Sequence, residues 1–378
     1  MNHSLNTPDC DIFCKVVDNF GDIGVCWRLA RQVAGEHNLR VRLWVNNLAA
    51  FQHLAPTIDP LLSQQTLGAI KVREWPERFP TAEPAALVIQ TFGCDLPPTY
   101  LAAMAQRQPA PAWVNLEYLS AEDWVEGCHN MPSPHPQLPL SCRFFFPGFT
   151  TRTGGLLREA GLLETLRNFQ TDPSAQENFW ARVANTRPDP AAMRISLFSY
   201  ENPALPALLD TWAAGTRPIF CAVTAGRSTD QVRKWAGDAL QHGNLALCYL
   251  PFLPQEDYDY LLAACDLNFV RGEDSFVRAQ WAARPLVWHI YRQAEDAHRI
   301  KLAAFLEKYL AGTASEPAAA LREFWLAWDE ERDPCSVWMS LLEHLPALRT
   351  HAQTWANELA QREDLCAKLL ICGQNLIQ

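Results

Sequence analysis

The chain of 378 residues is long enough for two domains of ordinary size, or three small ones. Hydrophobic residues make up 48% of it and charged residues 20%, which excludes a disordered chain, a collagen-like repeat and a small disulfide-stapled scaffold. The formal net charge of −10, from 32 basic and 42 acidic residues, argues against bare nucleic acid and anionic membranes as partners and leaves room for a basic one.

The first residues and the cysteines predict a cytoplasmic protein. Met1–Asp11 lacks a basic region followed by an apolar stretch, so we expect no signal peptide. No apolar run approaches the ~18 residues that a membrane span needs. The 12 cysteines form no CxxC pair, and most lie in apolar runs such as Ile219–Val223, which predicts reduced core residues rather than disulfides.

Short apolar runs alternate with helical patterns through the first half of the chain. In Val25–Ala34, for example, apolar residues recur three and four positions apart, as on one face of a helix. This alternation predicts a parallel sheet that is covered on both faces. The predicted strands are Asp11–Val17, Val41–Val45, Ile70–Arg73, Leu87–Gln90, Trp113–Glu117 and Arg143–Phe146.

Prolines weaken the pattern between Met131 and Pro190 and predict an irregular connection there, after which the alternation resumes. Almost every segment from Asp296 onward has a helical pattern. The predicted strands of the second half are Arg194–Phe198, Pro218–Val223, Leu245–Leu250, Leu267–Val270 and Leu286–His289. The sequence thus predicts two doubly wound α/β domains and a helical tail. Ligands are expected beyond the carboxyl ends of the strands, in a cleft between facing domains.

The loop after the first predicted strand, Asp18–Gly24, combines two carboxylates with two glycines. It lacks the GxGxxG pattern, because only Gly21 and Gly24 are present, and its acidic residues would repel a pyrophosphate. We expect a tight turn before a helix that starts near Gly24, with Asp18 or Asp22 directed into the cleft as a base or as the anchor of a cation. The alternative is that Asp22 caps the helix and that Asp18 is an ordinary turn residue.

A second loop, Arg271–Ser275, lies between a predicted strand and a helical pattern, and either Asp274 or Ser275 is suited to the N-cap position. Backbone N–H groups at such a helix start form an anion site suited to phosphate, which Arg271 would supplement. Glu273 and Asp274 are then expected to face sugar hydroxyls or to fix the loop. The alternative is an ordinary capped helix.

Two aromatic residues follow predicted strands where a planar base could stack. Phe252 lies in the proline-containing segment Tyr249–Gln255, and Tyr200 follows Arg194–Phe198. The alternative for each is a place in the hydrophobic core.

No metal site is predicted. The triplet Asp257–Asp259 has the DxD pattern, but it lies within the helical pattern Gln255–Ala264 rather than after a strand, so we expect it to face solvent. Cys128, His129 and His135 lack the second spaced pair that a zinc site needs.

Two long stretches carry a family pattern: Asp11–Gly24, followed by Trp27–Arg31, and Phe269–Trp281. Together they resemble the bacterial protein-arginine rhamnosyltransferases that modify translation elongation factor P. The resemblance extends along nearly the whole chain and includes the segment Pro251–Gln255 between the two motifs.

The resemblance implies a B-type glycosyltransferase fold, an α/β fold with two Rossmann-like domains facing a cleft, of which the second mainly holds the donor nucleotide. We expect an acceptor-side domain at residues 1–187, a nucleotide-sugar-binding domain at 188–354, and a C-terminal helix at 355–378 that packs back on the first. The implied reaction is an inverting transfer of L-rhamnose from dTDP-β-L-rhamnose to one arginine side chain of elongation factor P. It needs no cofactor and no metal.

The resemblance also implies roles for individual residues. Asp22 is similar to the family's proposed general base, with Asp18 beside it, and Glu273 is the third expected catalytic residue. Phe252 falls on the thymine-stacking position. The other expected donor-binding residues are Asn19, Phe20, Gly21, Tyr200, Gln255, Arg271, Asp274, Ser275 and Tyr291. Asp18 and Asp22 are also the expected acceptor-binding residues, and Glu117 and Tyr118 join them because they follow another predicted strand and are expected to face the same cleft.

Two other functions fit the residues. A sugar-nucleotide epimerase or a small-acceptor glycosyltransferase has the same fold, because a fold does not fix a function. A non-catalytic adaptor would bind the factor or a nucleotide without reaction, although two carboxylates at a strand's end argue against it. We expect elongation factor P and a nucleotide sugar as partners, and neither nucleic acid nor a membrane.

Overall fold

The computed structural model describes residues 8–17, 20–293 and 296–377. They divide into two compact units, of which the first comprises Met1–Ala160 with Ala360–Gln378 and the second Gly161–Leu359. Within the described residues, no helix is both long and apolar enough to cross a membrane. All 12 cysteines are free thiols, and most of them are buried.

The first unit is built on an eight-stranded sheet in the order β3-β4-β2-β1-β5-β6-β8-β7. Strands β3 and β7 pair antiparallel with their neighbours, and the others run parallel. The strands are β1 (Cys10–Cys14), β2 (Val41–Val45), β3 (Gln64–Leu67), β4 (Ile70–Glu74), β5 (Leu87–Thr91), β6 (Ala112–Leu116), β7 (Pro132–Pro134) and β8 (Ser141–Phe145). Its helices are α1 (Gly21–Glu36), α2 (Leu48–Leu54), α3 (Pro98–Gln106), α4 (Trp124–Cys128) and α14 (Leu365–Ile377).

Strand β1 is apolar along most of its length because both faces of the sheet are covered. Ile12 belongs to one buried cluster, with residues of α1 and α14, whereas Phe13 belongs to a second cluster on the opposite face. The one carboxylate of the strand, Asp11, is buried and accepts hydrogen bonds from Arg42 at 2.5 and 2.6 Å. These packed layers hold the end of β1, where the first candidate residues lie.

The second unit has a six-stranded sheet in the order β11-β12-β10-β9-β13-β14, parallel except for β11. Its strands are β9 (Met193–Leu197), β10 (Ile219–Val223), β11 (Gln241–His242), β12 (Leu245–Tyr249), β13 (Leu267–Arg271) and β14 (Leu286–His289). Its helices are α5 (Leu162–Thr171), α6 (Pro173–Ala184), α7 (Leu205–Ala214), α8 (Arg227–Ala236), α9 (Gln255–Ala264), α10 (Asp274–Trp281), α11 (Ala297–Leu310), α12 (Ser315–Asp329) and α13 (Cys335–Ala360).

Besides the predicted strand Arg143–Phe146, which the structure shows as β8, the region that was predicted to be an irregular connection contains one further strand, β7, and two helices. Pro173, which the prediction did not consider, is the first residue of α6, where its missing N–H costs nothing. Asp172 caps the same helix by accepting the N–H groups of Ser174 and Ala175. Proline at such a position starts a helix rather than interrupting one.

Helices α5 and α6 belong to the second unit. The ring of Phe169 contacts that of Tyr260 at 4.8 Å, and the ring of Trp180 contacts that of Phe220 at 5.3 Å. The division between the units therefore falls at residues 160/161, earlier in the chain than the expected 187/188. At the other end the first unit resumes at Ala360 rather than at residue 355, and Leu369 of α14 is fully buried in its core.

Candidate functional site

Asp22 lies at the carboxyl end of β1, but not in a loop. Strand β1 ends at Cys14, and α1 already begins at Gly21, so Asp22 is in the first turn of the helix. Its side chain is 3% exposed. One carboxylate oxygen, Oδ2, accepts the backbone N–H of Val17 at 2.8 Å, and Oδ1 accepts the hydroxyl of Tyr118 at 3.3 Å. The carboxylate is therefore fixed between two chain segments that the sheet brings together.

The neighbours of Asp22 in the first motif are only partly described. Asp18 and Asn19 lie outside the described residues. Phe20 occupies the N-cap position of α1, where its side chain makes no capping hydrogen bond, and its ring contacts that of His53 at 5.5 Å. Gly21 is the first residue of the helix.

Of the two expected acceptor residues after β6, Tyr118 contacts Asp22, and Glu117 is its neighbour in the chain. Glu117 accepts a hydrogen bond from the Asn115 side-chain amide at 2.6 Å, which fixes its carboxylate. Tyr118 is 39% exposed and stacks on Phe92, with ring centroids 4.5 Å apart. The structure thus joins Asp22 to a residue 96 positions away, at an edge where a cation would meet a buried carboxylate.

Phe92 is a residue of this site that the sequence analysis missed. It follows β5 with a φ of +54°, a conformation that is rare and strained for a bulky side chain. Its ring stacks on that of Tyr118. The only sequence signal is the following glycine, Gly93, whose φ of +64° shows that the chain turns sharply here.

In the second unit, the expected donor residues lie at or just after the carboxyl ends of strands. Because β9, β12, β13 and β14 point the same way, these ends share one edge of the sheet. Tyr200 follows β9, and Tyr291 follows β14. Phe252 is half-buried between β12 and α9, and Gln255 is the first residue of α9.

Arg271 is a buried cation at this edge, stacked on aromatic rings. It is 9% exposed, and its Cζ lies 4.6 Å from the ring centroid of Phe198 and 4.7 Å from that of Tyr200. Such stacking orients the guanidinium and leaves its N–H groups directed sideways. The ring of Tyr200 also contacts those of His289, at 5.3 Å, and Tyr291, at 5.7 Å.

Ser275 does not cap the helix that follows Arg271; its side chain is hydrogen-bonded to the backbone of Arg271 across the loop. The Ser275 hydroxyl donates to the carbonyl of Arg271 and accepts its N–H at 3.2 Å. Helix α10 begins at Asp274, and the N-cap residue is Glu273, whose side chain makes no capping hydrogen bond. The expectation of Asp274 or Ser275 as N-cap is therefore wrong, because the hydroxyl is used for the turn at Gly272, where φ is +63°.

The starts of α9 and α10 are tied together, since the Gln255 side-chain amide donates to Oδ2 of Asp274 at 3.2 Å. A helix start at the carboxyl end of a parallel strand, with a stacked arginine beside it, is suited to an anion such as a diphosphate. The acidic side chains of Glu273 and Asp274 are half-exposed at the same place. Carboxylates there suit sugar hydroxyls, which are hydrogen-bond donors.

His289 is a second residue that the sequence analysis missed. It ends β14, is 2% exposed and lies against Tyr200 and Trp328. Burial, together with Arg292 and Arg271, lowers the pKa of His289 to about 3, so the ring is neutral near pH 7. Its buried Nδ1 has no hydrogen-bond partner among the described residues. Its position at the end of a strand is the only sequence signal.

The acidic triplet of α9 was expected to face solvent, and for Asp259 that is wrong. Asp259 is buried and forms an ion pair with Arg278, with contacts of 2.6 and 2.9 Å. Asp257 pairs with the more exposed Arg182 at 2.6 Å. Both carboxylates thus fasten α9 to other helices. In the described part of the chain, no three His, Cys, Asp or Glu side chains are grouped to hold a metal ion.

Comparison with known proteins places this arrangement in a family. The family model of the Elongation-Factor P (EF-P) rhamnosyltransferase EarP matches residues 10–372. A protein-arginine rhamnosyltransferase of Pseudomonas aeruginosa is 49% identical over 367 residues, which are 95% of this chain and 97% of that protein.

Solved structures agree with the sequence comparison. One that concerns EarP-mediated arginine glycosylation of translation elongation factor EF-P is 34% identical, covers 98% of this chain and 99% of its own, and has a TM-score of 0.69. A UDP-glucosyltransferase from Polygonum tinctorium is only 8% identical but covers both chains fully with a TM-score of 0.54, so it shares the fold. The predicted B-type glycosyltransferase fold is confirmed. The chain belongs to the elongation factor P rhamnosyltransferase family.

Proposed function

We propose that this protein transfers L-rhamnose from dTDP-β-L-rhamnose to one arginine side chain of translation elongation factor P, with inversion at the anomeric carbon. The observation that carries the proposal is the match to protein-arginine rhamnosyltransferases along nearly the whole chain. Their name specifies both the sugar and the acceptor side chain. The geometry of the two candidate groups supports the same chemistry.

The second unit is proposed to hold the donor. Arg271 and the start of α10 would meet the two negative phosphates, Phe252 would stack on the thymine, and the carboxylates of Glu273 and Asp274 would accept hydrogen bonds from sugar hydroxyls. Because protein groups offset the phosphate charge in this arrangement, we propose that transfer needs no metal ion. Full activity in the presence of a chelator is the expected result.

The first unit is proposed to hold the acceptor arginine at Asp22 and Glu117. A nitrogen of the guanidinium attacks C1 of rhamnose, and the bond between C1 and the diphosphate oxygen breaks. The electron pair leaves with dTDP, and the proton of the attacking nitrogen passes to the carboxylate of Asp22. Attack and departure on opposite faces of C1 invert that centre.

The timing of the proton transfer follows from the energies. A free arginine has a pKa of about 13.8, so removing its proton at pH 7 costs about 9 kcal/mol, at about 1.36 kcal/mol per pH unit. A single carboxylate cannot supply that much before the reaction. Asp22 therefore binds and orients the cation first, and accepts the proton only as the carbon–nitrogen bond forms.

The test is to mix the protein with dTDP-β-L-rhamnose and elongation factor P and to weigh the factor by mass spectrometry. A gain of one deoxyhexose on a single arginine is expected, with a new anomeric configuration seen by NMR. A sugar-nucleotide epimerase would change the donor without the factor, and an adaptor would bind the factor and leave its mass unchanged. Because the acceptor is a translation factor, we propose that the reaction takes place in the cytoplasm.

A further inference from the structure

The first unit contains a cavity of about 480 Å³ in which none of the expected site residues lies. We call it the β8 cavity, after the strand that contributes Arg143. The lining side chains are those of His129, Asn130, Arg143, Phe145, Thr151, Arg152, Thr153, Glu363, Lys368, Ile371, Cys372, Asn375 and Leu376. Three of these described side chains are cations and one is a carboxylate, in a chain whose net charge is −10.

Two cations of the β8 cavity form no ion pair with a carboxylate of the described residues. Arg143 donates to the carbonyl of Asn130 at 3.0 Å, and Lys368 donates to the carbonyls of Thr153 at 2.8 Å and Thr151 at 3.4 Å. Burial, and the nearby Arg362, lower the pKa of Lys368, although Glu363 opposes this. A partly desolvated ammonium beside a guanidinium favours an anion as a third partner.

His129 adds a neutral donor to the same wall. Its Nδ1 accepts the backbone N–H of Phe146 at 3.1 Å. Burial and Lys368 lower the pKa of His129 to about 4, so the neutral ring carries its proton on Nε2. The third cation, Arg152, is already paired with Glu126 at 2.6 Å. The cavity therefore presents two cationic donors and one neutral donor to whatever enters it.

Large apolar side chains are exposed on the cavity wall and on chain segments next to its lining residues. Trp124 is 52% exposed, Met131 is 50% exposed and Ile371, at the cavity wall, is 45% exposed. Trp124 packs by its edge on Phe146, which follows β8. Aromatic and methionine side chains next to arginine are typical of a surface that binds another protein, whereas a site for a small free anion needs no such border.

The chain segment that leads away from β8 is hydrogen-bonded to the segment that carries the acceptor-side residues. The chain after β6 runs beside the chain after β8, because Glu117 donates its N–H to the Phe145 carbonyl at 2.9 Å and Ser120 donates to Pro147 at 3.4 Å. Tyr118, which holds Asp22, lies between these two contacts. One protein lying along this edge can therefore reach both Asp22 and the cavity.

We propose that the β8 cavity binds a carboxylate side chain of the protein acceptor while the acceptor's arginine lies at Asp22. The carboxylate accepts hydrogen bonds from Arg143 and Lys368, and the apolar border packs against the neighbouring surface of the acceptor. This inference rests on the proposed function, since it takes elongation factor P as the partner. It assigns to that partner an acidic residue on the face that carries the modified arginine.

The experiment compares a double variant, Arg143→Gln with Lys368→Gln, with the control Arg78→Gln. Arg78 is exposed, belongs to the same unit and follows β4, which is five places from β8 in the sheet. Binding of elongation factor P is measured by calorimetry at low and at physiological salt, and transfer by mass spectrometry. In the double variant, we expect Kd and KM for the factor to rise about tenfold or more, with kcat at saturating factor within about twofold.

The control variant is expected to change Kd by less than about twofold, and calorimetric affinity for dTDP should be the same in all three proteins. A double variant that binds the factor as the wild type does would overturn the inference, as would an equal loss in Arg78→Gln, which would indicate general electrostatic attraction. Inorganic phosphate that binds the wild type without competing with the factor would also overturn it.

Two further measurements keep the inference testable if the double variant is unstable. Lys368→Arg keeps the charge and should keep the affinity, whereas Ile371→Ser should weaken factor binding without touching a charge; opposite results would contradict the proposal. The two proposals also fail separately. Rhamnose transfer that is unaffected by the cavity variants refutes the cavity alone, whereas binding that depends on the cavity without any transfer refutes the proposed function alone.

Discussion

Replacing Asp22 with asparagine removes the charge of the proposed base and nearly preserves its shape. Asp22 accepts the Val17 N–H at 2.8 Å on one oxygen and the Tyr118 hydroxyl at 3.3 Å on the other. An asparagine side chain has only one oxygen, so one of these two donors meets an NH₂ group instead. The lost hydrogen bond costs about 1–3 kcal/mol of stability, since the site is buried.

The effect on turnover is expected to be larger than the effect on stability. Proton transfer to a positioned base contributes about 10²–10⁴-fold to a rate, which is about 3–5 kcal/mol of activation free energy at about 1.36 kcal/mol per factor of ten. We therefore expect Asp22→Asn to lower kcat by about 100-fold or more. Calorimetric affinity for dTDP should stay within about twofold, because the groups proposed to bind its phosphates and its base belong to the other unit.

The matched control is Tyr118→Phe, which removes the hydroxyl from Asp22 and keeps the ring that stacks on Phe92. One hydrogen bond is worth about 1 kcal/mol, so a loss of about tenfold or less is expected. Rates come from mass spectrometry of the factor at timed intervals, and melting curves show that both variants are folded. Turnover of Asp22→Asn above a tenth of the wild-type rate would refute the base assignment, as would an equal loss in Tyr118→Phe.

Three further predictions concern the second unit. Phe252→Leu should weaken dTDP binding in calorimetry by about 1–3 kcal/mol, because the base loses its stacking face; an unchanged affinity would place the thymine elsewhere. Asp259→Asn should lower the free energy of unfolding by about 3–5 kcal/mol, since it leaves the buried Arg278 guanidinium without its carboxylate. The control is Asp257→Asn, which breaks the more exposed ion pair and should cost much less in the same denaturation experiment. Equal losses in the two variants would contradict this prediction. His289 should stay neutral in NMR spectra down to about pH 4, because burial lowers its pKa to about 3. The free energy of unfolding should then fall as the pH drops below about 6.5, because only the unfolded ring gains a proton there. His289→Gln should reduce the slope of unfolding free energy against pH by about 1.4 kcal/mol per pH unit. An unchanged slope would contradict the low pKa of His289.

The sheets could be predicted from the sequence because parallel strands are buried on both faces and therefore form continuous apolar runs. Strand β2 has the predicted bounds, Val41–Val45, and its burial is complete along all five residues. The ends of strands were less predictable. The apolar run from Asp11 continues to Val17, but the strand stops at Cys14, because Val17 is 76% exposed and no longer pairs with β2.

The candidate residues were predictable one by one, but their partners were not. A carboxylate after a strand is visible in the sequence, whereas the hydroxyl that holds Asp22 comes from a residue 96 positions later. The same reason explains why the burial of Asp259 was not predicted. Its neighbours in the sequence are those of a solvent-facing helix residue, whereas its partner in the fold is a buried arginine. Local sequence patterns indicate periodicity and turns, but they carry no information about contacts between segments that are far apart in the chain.

Selecting one arginine on one protein demands more than a carboxylate that attracts cations. Asp22 and Glu117 would attract any exposed arginine, and attraction of this kind discriminates poorly because every arginine carries the same charge. A second contact of opposite sign changes this, since only an arginine at a fixed distance from an acidic side chain satisfies both Asp22 and the β8 cavity. A wrong partner would leave the Arg143 and Lys368 cations without an acceptor and would lose affinity on that account. Replacing the cavity cations should therefore weaken acceptor binding more than it slows the chemical step. The cavity variants should raise KM for the factor while kcat is preserved.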